Sequence, residues 1–146
     1  MGASSRSEME LRMILPRSIA YLTVSGELDA AARDGFTEAL GALADADVAI
    51  IDFGEVSYCD STAITCLVSL RKRMQAVARG GAIRIVNPGR SIRRIMELCG
   101  LEALFSMHDS LRSAGLTSED GDSIVTFVGH YDAGVPLADD GALLAD

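Results

Sequence analysis

Residues 48–77 constrain the fold of this chain more than any other stretch. They open with Val48-Ala49-Ile50-Ile51-Asp52-Phe53, a short apolar run rich in Val and Ile that meets Gly54. Such a run predicts a buried strand. Further on, Ala63, Leu67, Leu70, Met74 and Val77 recur at spacings of four, three, four and three, the stripe of an amphipathic helix reaching to about Arg79. Between the two, Val56 to Cys59 reads as a connecting loop, and Asp60-Ser61-Thr62 supplies residue types that cap a helix start. A strand, a loop and a capped helix thus present a hydroxyl at a helix N-terminus. The first amides of a helix are unpaired and its dipole favours negative charge there. A phosphate on Ser61 would be well placed.

The rest of the chain repeats this alternation. Leu11 to Leu15 predicts a first strand ending at Pro16, and Ile19 to Val24 a second, closed by Ser25-Gly26. Only Pro16-Arg17-Ser18 separates them, which suits a hairpin, so the sheet is expected to be mixed. Asp29 caps a predicted helix from Ala30 to Leu43 with Phe36, Leu40 and Leu43 inward. Gly35 and Gly41 weaken that helix, by about 1 kcal/mol each relative to Ala. Gly80-Gly81 turns into a strand over Ala82 to Val86, broken by Asn87-Pro88-Gly89. Ser91 caps a short helix with Ile92, Ile95, Met96 and Cys99 inward and Arg90, Arg93 and Arg94 outward, ended by Gly100. One more short strand is expected within Leu101 to Met107, with Leu111 closing the core. Strands alternating with helices predict a single α/β layer architecture.

Charge divides the chain. Residues 1–112 hold all 13 basic and 14 acidic residues, a net −1, while residues 113–146 hold 7 acidic and no basic ones, a net −7. The boundary separates a domain over 8–112 from an acidic tail over 113–146, in which Ser123 to Tyr131 is rich enough in β-formers for one added strand. The segment 8–112 holds the apolar periodicity and is expected to fold without the tail. The overall charge of −8 argues against nucleic acid as a partner. No apolar run is long enough for a membrane span and no secretory signal opens the chain, so a cytoplasmic location without a membrane partner is expected. Cys59, Cys66 and Cys99 form no C-x-x-C pair, which points to neither a disulfide framework nor a zinc site. Buried small hydrophobes are the expectation for Cys66 and Cys99. The run Arg71-Lys72-Arg73 reads as a solvated helix face. No nucleophile elbow, P-loop or dinucleotide fingerprint occurs, and neither metal nor cofactor is expected. With two histidines, His108 and His130, far from Ser61 in sequence, a Ser61 hydrolase is disfavoured.

Asp60-Ser61-Thr62 after a strand, opening a helix that continues to Leu67-Val68-Ser69-Leu70, resembles the core motif of STAS domains, and of bacterial anti-sigma factor antagonists in particular. Ser25-Gly26-Glu27-Leu28-Asp29, Ile83-Arg84-Ile85-Val86-Asn87-Pro88 and Met96-Glu97-Leu98-Cys99-Gly100-Leu101 agree with it in the same order. The resemblance implies a STAS-like fold and a binding switch rather than an enzyme. The unphosphorylated protein would sequester an anti-sigma factor that is itself a serine kinase. That kinase would phosphorylate Ser61, and a phosphatase would reverse it. Thr62 is the alternative hydroxyl. Asp29, Asp60, Thr62, Ala63 and Ile64 are the residues expected to support the phosphosite or meet the partner. Capping remains open as the sole role of Asp60 and Asp29, and a homodimer remains open. The alternative reading is a STAS subunit that does not switch, in a lipid-transport or other complex, or a ligand-sensing STAS module.

Overall fold

The computed structural model describes residues 17–77, 81–114 and 123–133. Five strands lie in the order β4-β3-β2-β1-β5: β1 over Arg17–Leu28, β2 over Val48–Cys59, β3 over Ala82–Val86, β4 over Ser106–His108 and β5 over Ser123–Asp132. Three helices connect the first four strands: α1 over Arg33–Gly41, entered through a 3-10 turn at Ala30–Ala32, α2 over Ser61–Gln75 and α3 over Arg90–Leu98. Every pairing between these strands is parallel.

That order decides where the helices go. A parallel crossover is almost always right-handed. From β1 to β4 the chain steps across the sheet in one direction, so its three helices fall on the same face. There Phe36 and Leu40 of α1, Leu67 and Met74 of α2, and Ile92 and Met96 of α3 share one buried cluster with Leu22, Val24, Ile51 and Ile85. The step from β4 to β5 runs back across the sheet, and its described start lies on the opposite face. Leu111 and Ala114, at the start of that connection, pack there against Ile19, Val48, Ile50 and Val86. Both faces of β2 are therefore covered at Val48 to Ile51, all at 0% exposure, which is why this strand reads as an unbroken apolar run.

Several elements depart from the sequence-based expectation. β1 does not close at Ser25-Gly26. Its pairing with β2 shifts register there, with Gly26 at a φ of 91°, and it continues to Leu28. β2 does not end at Gly54. It runs on to Cys59, held to β1 by the pairs Glu27↔Tyr58 and Leu28↔Cys59. The helix expected from Ala30 splits into the 3-10 turn and α1. Cys99 is exposed rather than inward, because it caps the end of α3. The strand expected over Leu11 to Leu15 lies outside the described residues. An antiparallel neighbour there would have made the sheet mixed, but β2 takes one edge of β1 and β5 the other, so the described sheet is parallel throughout.

β5 forms where the acidic tail was expected to hold an added strand. It pairs with β1 over nine residue pairs, from Arg17↔Ser123 to Ser25↔Asp132. Near its end Tyr131 turns into the core, 3% exposed, with its ring 5.9 Å from that of Phe36 and its hydroxyl donating to the Ala32 carbonyl at 3.4 Å. Burial, then Asp132, Cys66 and Asp29, push the phenol pKa up.

Candidate functional site

In parallel α/β sheets, ligands meet the protein beyond the carboxyl ends of the strands. The register Leu28↔Cys59 brings two such ends together, so Asp29 and Asp60 succeed neighbouring strands side by side, and the Asp60 amide donates to the Leu28 carbonyl at 3.3 Å. Each aspartate caps the helical turn on its C-terminal side. Asp60 Oδ1 accepts from the Thr62 amide at 2.8 Å, and Asp29 Oδ1 accepts from the Ala31 amide at 3.0 Å. The Ala63 amide donates to the Asp60 carbonyl at 3.2 Å. The first turn of α2 is thus partly satisfied from within the chain.

Ser61 is the first residue of α2 and is exposed. Its carbonyl accepts from the Thr65 hydroxyl at 3.1 Å. Thr62 is half-buried, as are Asp29 and Asp60. Ala63 and Ile64 are not surface: at 0% and 6% exposure they sit in the core beneath the helix start. The first turn of α2 aims them at the sheet, so the support they give the helix start comes through packing. A shallow cleft of about 160 Å³ opens beside Ser61, lined by Ala30, Arg33, Ser61, Thr62 and Thr65. Sequence reasoning does not find Arg33, because a lone arginine on a helix carries no pattern.

Cys59 lies just before the site, 7% exposed. Burial, and secondarily the Asp60 charge, pushes its thiol pKa up to about 12. That removes it as a reactive thiol at neutral pH. Cys66 is buried against Thr37, with Sγ 3.3 Å from its hydroxyl.

Both histidines are committed elsewhere. His130 bridges the Thr23 and Ser25 hydroxyls at 2.7 and 2.8 Å, and His108 bridges those of Ser113 and Ser106 at 3.2 and 2.9 Å. Neither partners Ser61 in a Ser-His arrangement. Arg93 forms an exposed ion pair with Asp109 at 2.9 Å, while Arg90, Arg94, Lys72 and Arg73 face solvent. Among the described residues no three His, Cys, Asp or Glu side chains gather to hold a metal ion, and no helix is long and apolar enough to cross a membrane.

Known proteins share this fold. The STAS domain family model matches residues 11–114. No curated protein matches the chain. Among solved structures, an anti-sigma factor antagonist from Mycobacterium paratuberculosis is 25% identical, with a TM-score of 0.54 over 62% of this chain and 80% of that one. The Bacillus cell fate determinant SpoIIAA in its phosphorylated form is 22% identical, with a TM-score of 0.51 over 64% and 85%. The STAS domain of a SulP transporter from Vibrio cholerae is 19% identical, with a TM-score of 0.51 over 74% and 91%.

Proposed function

The chain belongs to the STAS family, and from that premise we propose that it is an anti-sigma factor antagonist switched by phosphorylation of Ser61. The observation that carries this reading is the placement of Ser61: an exposed hydroxyl at the start of a capped 15-residue helix, beyond the carboxyl end of a central strand. A kinase can reach it without unfolding anything. The unmodified protein binds an anti-sigma factor that is a serine kinase, in the cytoplasm of a bacterium. The kinase passes the terminal phosphoryl group of ATP to Ser61 Oγ. The hydroxyl proton goes to a base of the kinase, and ADP leaves. A phosphatase hydrolyses the ester and restores the hydroxyl. The protein itself is a substrate and a binding partner, not an enzyme.

The energetics of the switch are local. The phosphoryl group adds about −1.5 to −2 charges. It arrives beside Asp60, which caps the same helix start, with Asp29 on the neighbouring turn. A partner packed over Ser61 would desolvate this group without pairing it. Leaving a buried charge unpaired costs about 3–5 kcal/mol, on the order of a hundredfold to a few thousandfold in affinity.

The test is calorimetric affinity for the partner recovered with the unmodified protein, with circular dichroism as the fold control. Ser61→Ala should bind and resist the kinase, and Ser61→Glu should bind poorly. Stoichiometric phosphorylation of Ser61→Ala, for instance on Thr62, would refute the site. Equal binding by phosphorylated and unmodified protein would refute the switch, and the non-switching STAS subunit would take its place.

A further inference from the structure

We propose that Arg33 is the cation that receives the phosphoryl group on Ser61, tying the start of α1 to the start of α2 in the modified protein. The inference rests on the reading of Ser61 as the phosphorylated residue and names how the chain itself holds the product.

The helix start has little left to offer a phosphate. Free amides at a helix N-terminus would ordinarily neutralise one. Here the Thr62 amide is taken by the Asp60 carboxylate, and the Ala63 amide by the Asp60 carbonyl. The Ser61 amide remains. Asp60 and Asp29, which cap the adjacent turns, are acids that repel a dianion. The compensating charge must come from a side chain on another element.

Arg33 meets that requirement. It is the one cation lining the cleft that Ser61, Thr62 and Thr65 also line. Among the described residues its side chain has no ion-pair or hydrogen-bond partner, in contrast to Arg93, which is bound to Asp109. Its backbone is held in place as the first residue of α1, where its carbonyl accepts from the Cys66 thiol at 3.9 Å. The side chain therefore rises from a fixed anchor at the cleft it lines. Its planar fork can hold two phosphoryl oxygens at once. The cleft, of about 160 Å³, is open to solvent on the Ser61 side, so the group enters without displacing core side chains.

The experiment uses the full chain with phosphoserine installed at position 61 during translation, so no kinase is needed. Phosphorus NMR then tracks the second ionisation of the phosphoserine. A neighbouring cation lowers such a pKa by about 1–3 units, and the exposed site puts the expected shift near the lower end. Replacing Arg33 by Ala, or by Gln to keep part of the stem, should raise the phosphoserine pKa by about one unit in either variant. The unphosphorylated variants should melt like the parent. Equal phosphoserine pKa values in parent and variants would overturn the inference. The two readings fail separately: absence of phosphate on Ser61 after incubation with the kinase would remove the proposed switch, while the titration addresses Arg33 alone.

Discussion

Replacing Tyr131 by Ala tests whether the C-terminal strand is part of the fold. Tyr131 lies beyond the matched family segment, yet it is 3% exposed, packs on Phe36 and hydrogen-bonds the Ala32 carbonyl. Truncating a buried aromatic side chain to Ala costs about 3–5 kcal/mol. Against a total stability of about 5–15 kcal/mol that is a large fraction, and for a chain of this size it lowers Tm by roughly 10 °C or more. Tyr131→Phe removes only a long hydrogen bond and should cost less than about 1 kcal/mol. Ending the chain at Ala114 removes all nine pairs with β1 and bares that edge of the sheet, so it should destabilise the protein and promote association. The same truncation tests the expectation from sequence that 8–112 folds without the tail. Urea and thermal unfolding monitored by circular dichroism give the values. A Tyr131→Ala protein within about 0.5 kcal/mol of the parent, the range of an ordinary surface change, would refute the docking of β5.

Gly35→Ala should not deliver the helix stabilisation of about 1 kcal/mol that propensity predicts, because the new Cβ would lie 2.6 Å from the Tyr131 hydroxyl. In a Tyr131→Phe background, where ring carbons at 3.2 and 3.3 Å remain the nearest atoms, the same change should be less unfavourable, and simple additivity in that double-mutant cycle would refute the close packing. A thiol reagent at pH 8 should label Cys99 and leave Cys59 unreacted until the protein unfolds; rapid labelling of Cys59 would refute its burial. The folded Cys59 pKa is raised, so its contribution to stability is present below its unfolded value of about 9 and is lost as pH rises towards about 12. Replacing Cys59 by Ala should remove that alkaline slope from denaturation midpoints measured between pH 8 and 11.

The parts of the fold that could be read from sequence are those whose side chains carry the pattern. Val48 to Ile51 is apolar at every position because helices cover one face of β2 and the chain after β4 covers the other. The stripe Ala63, Leu67, Leu70, Met74 is helical because one side of α2 lies on the sheet. What escaped is held by backbone. Gly54 to Tyr58 is exposed or half-buried and shows no apolar alternation, yet much of it pairs with β1. Likewise Ser18 to Val24 reads the same whether its outer neighbour is an antiparallel hairpin or parallel β5. The choice depends on a crossover from β4, which no local pattern reports.

The site divides along the same line. Asp60-Ser61-Thr62 is legible because capping is local: the Asp60 side chain reaches an amide two residues away. Asp29 can be read as the cap of its own helix for the same reason. Its place beside Asp60 comes from the parallel register Leu28↔Cys59, which the sequence reveals only through family resemblance. Ala63 and Ile64 follow Ser61 in sequence but not in exposure, because successive residues of a helix point about 100° apart and these two face the sheet. Arg33 is invisible because nothing in the sequence around an arginine distinguishes a solvated charge from one that lines a cleft. That distinction is made by the 3-10 turn at Ala30–Ala32, which comes after Asp29 and sets the start of α1 beside the start of α2. Tyr131 packs under that turn through its bond to Ala32. β5 thus contacts the turn that carries Ala30 and leads to Arg33, two of the residues lining the cleft, so loosening β5 should weaken the hold of Arg33 on a phosphoryl group at Ser61.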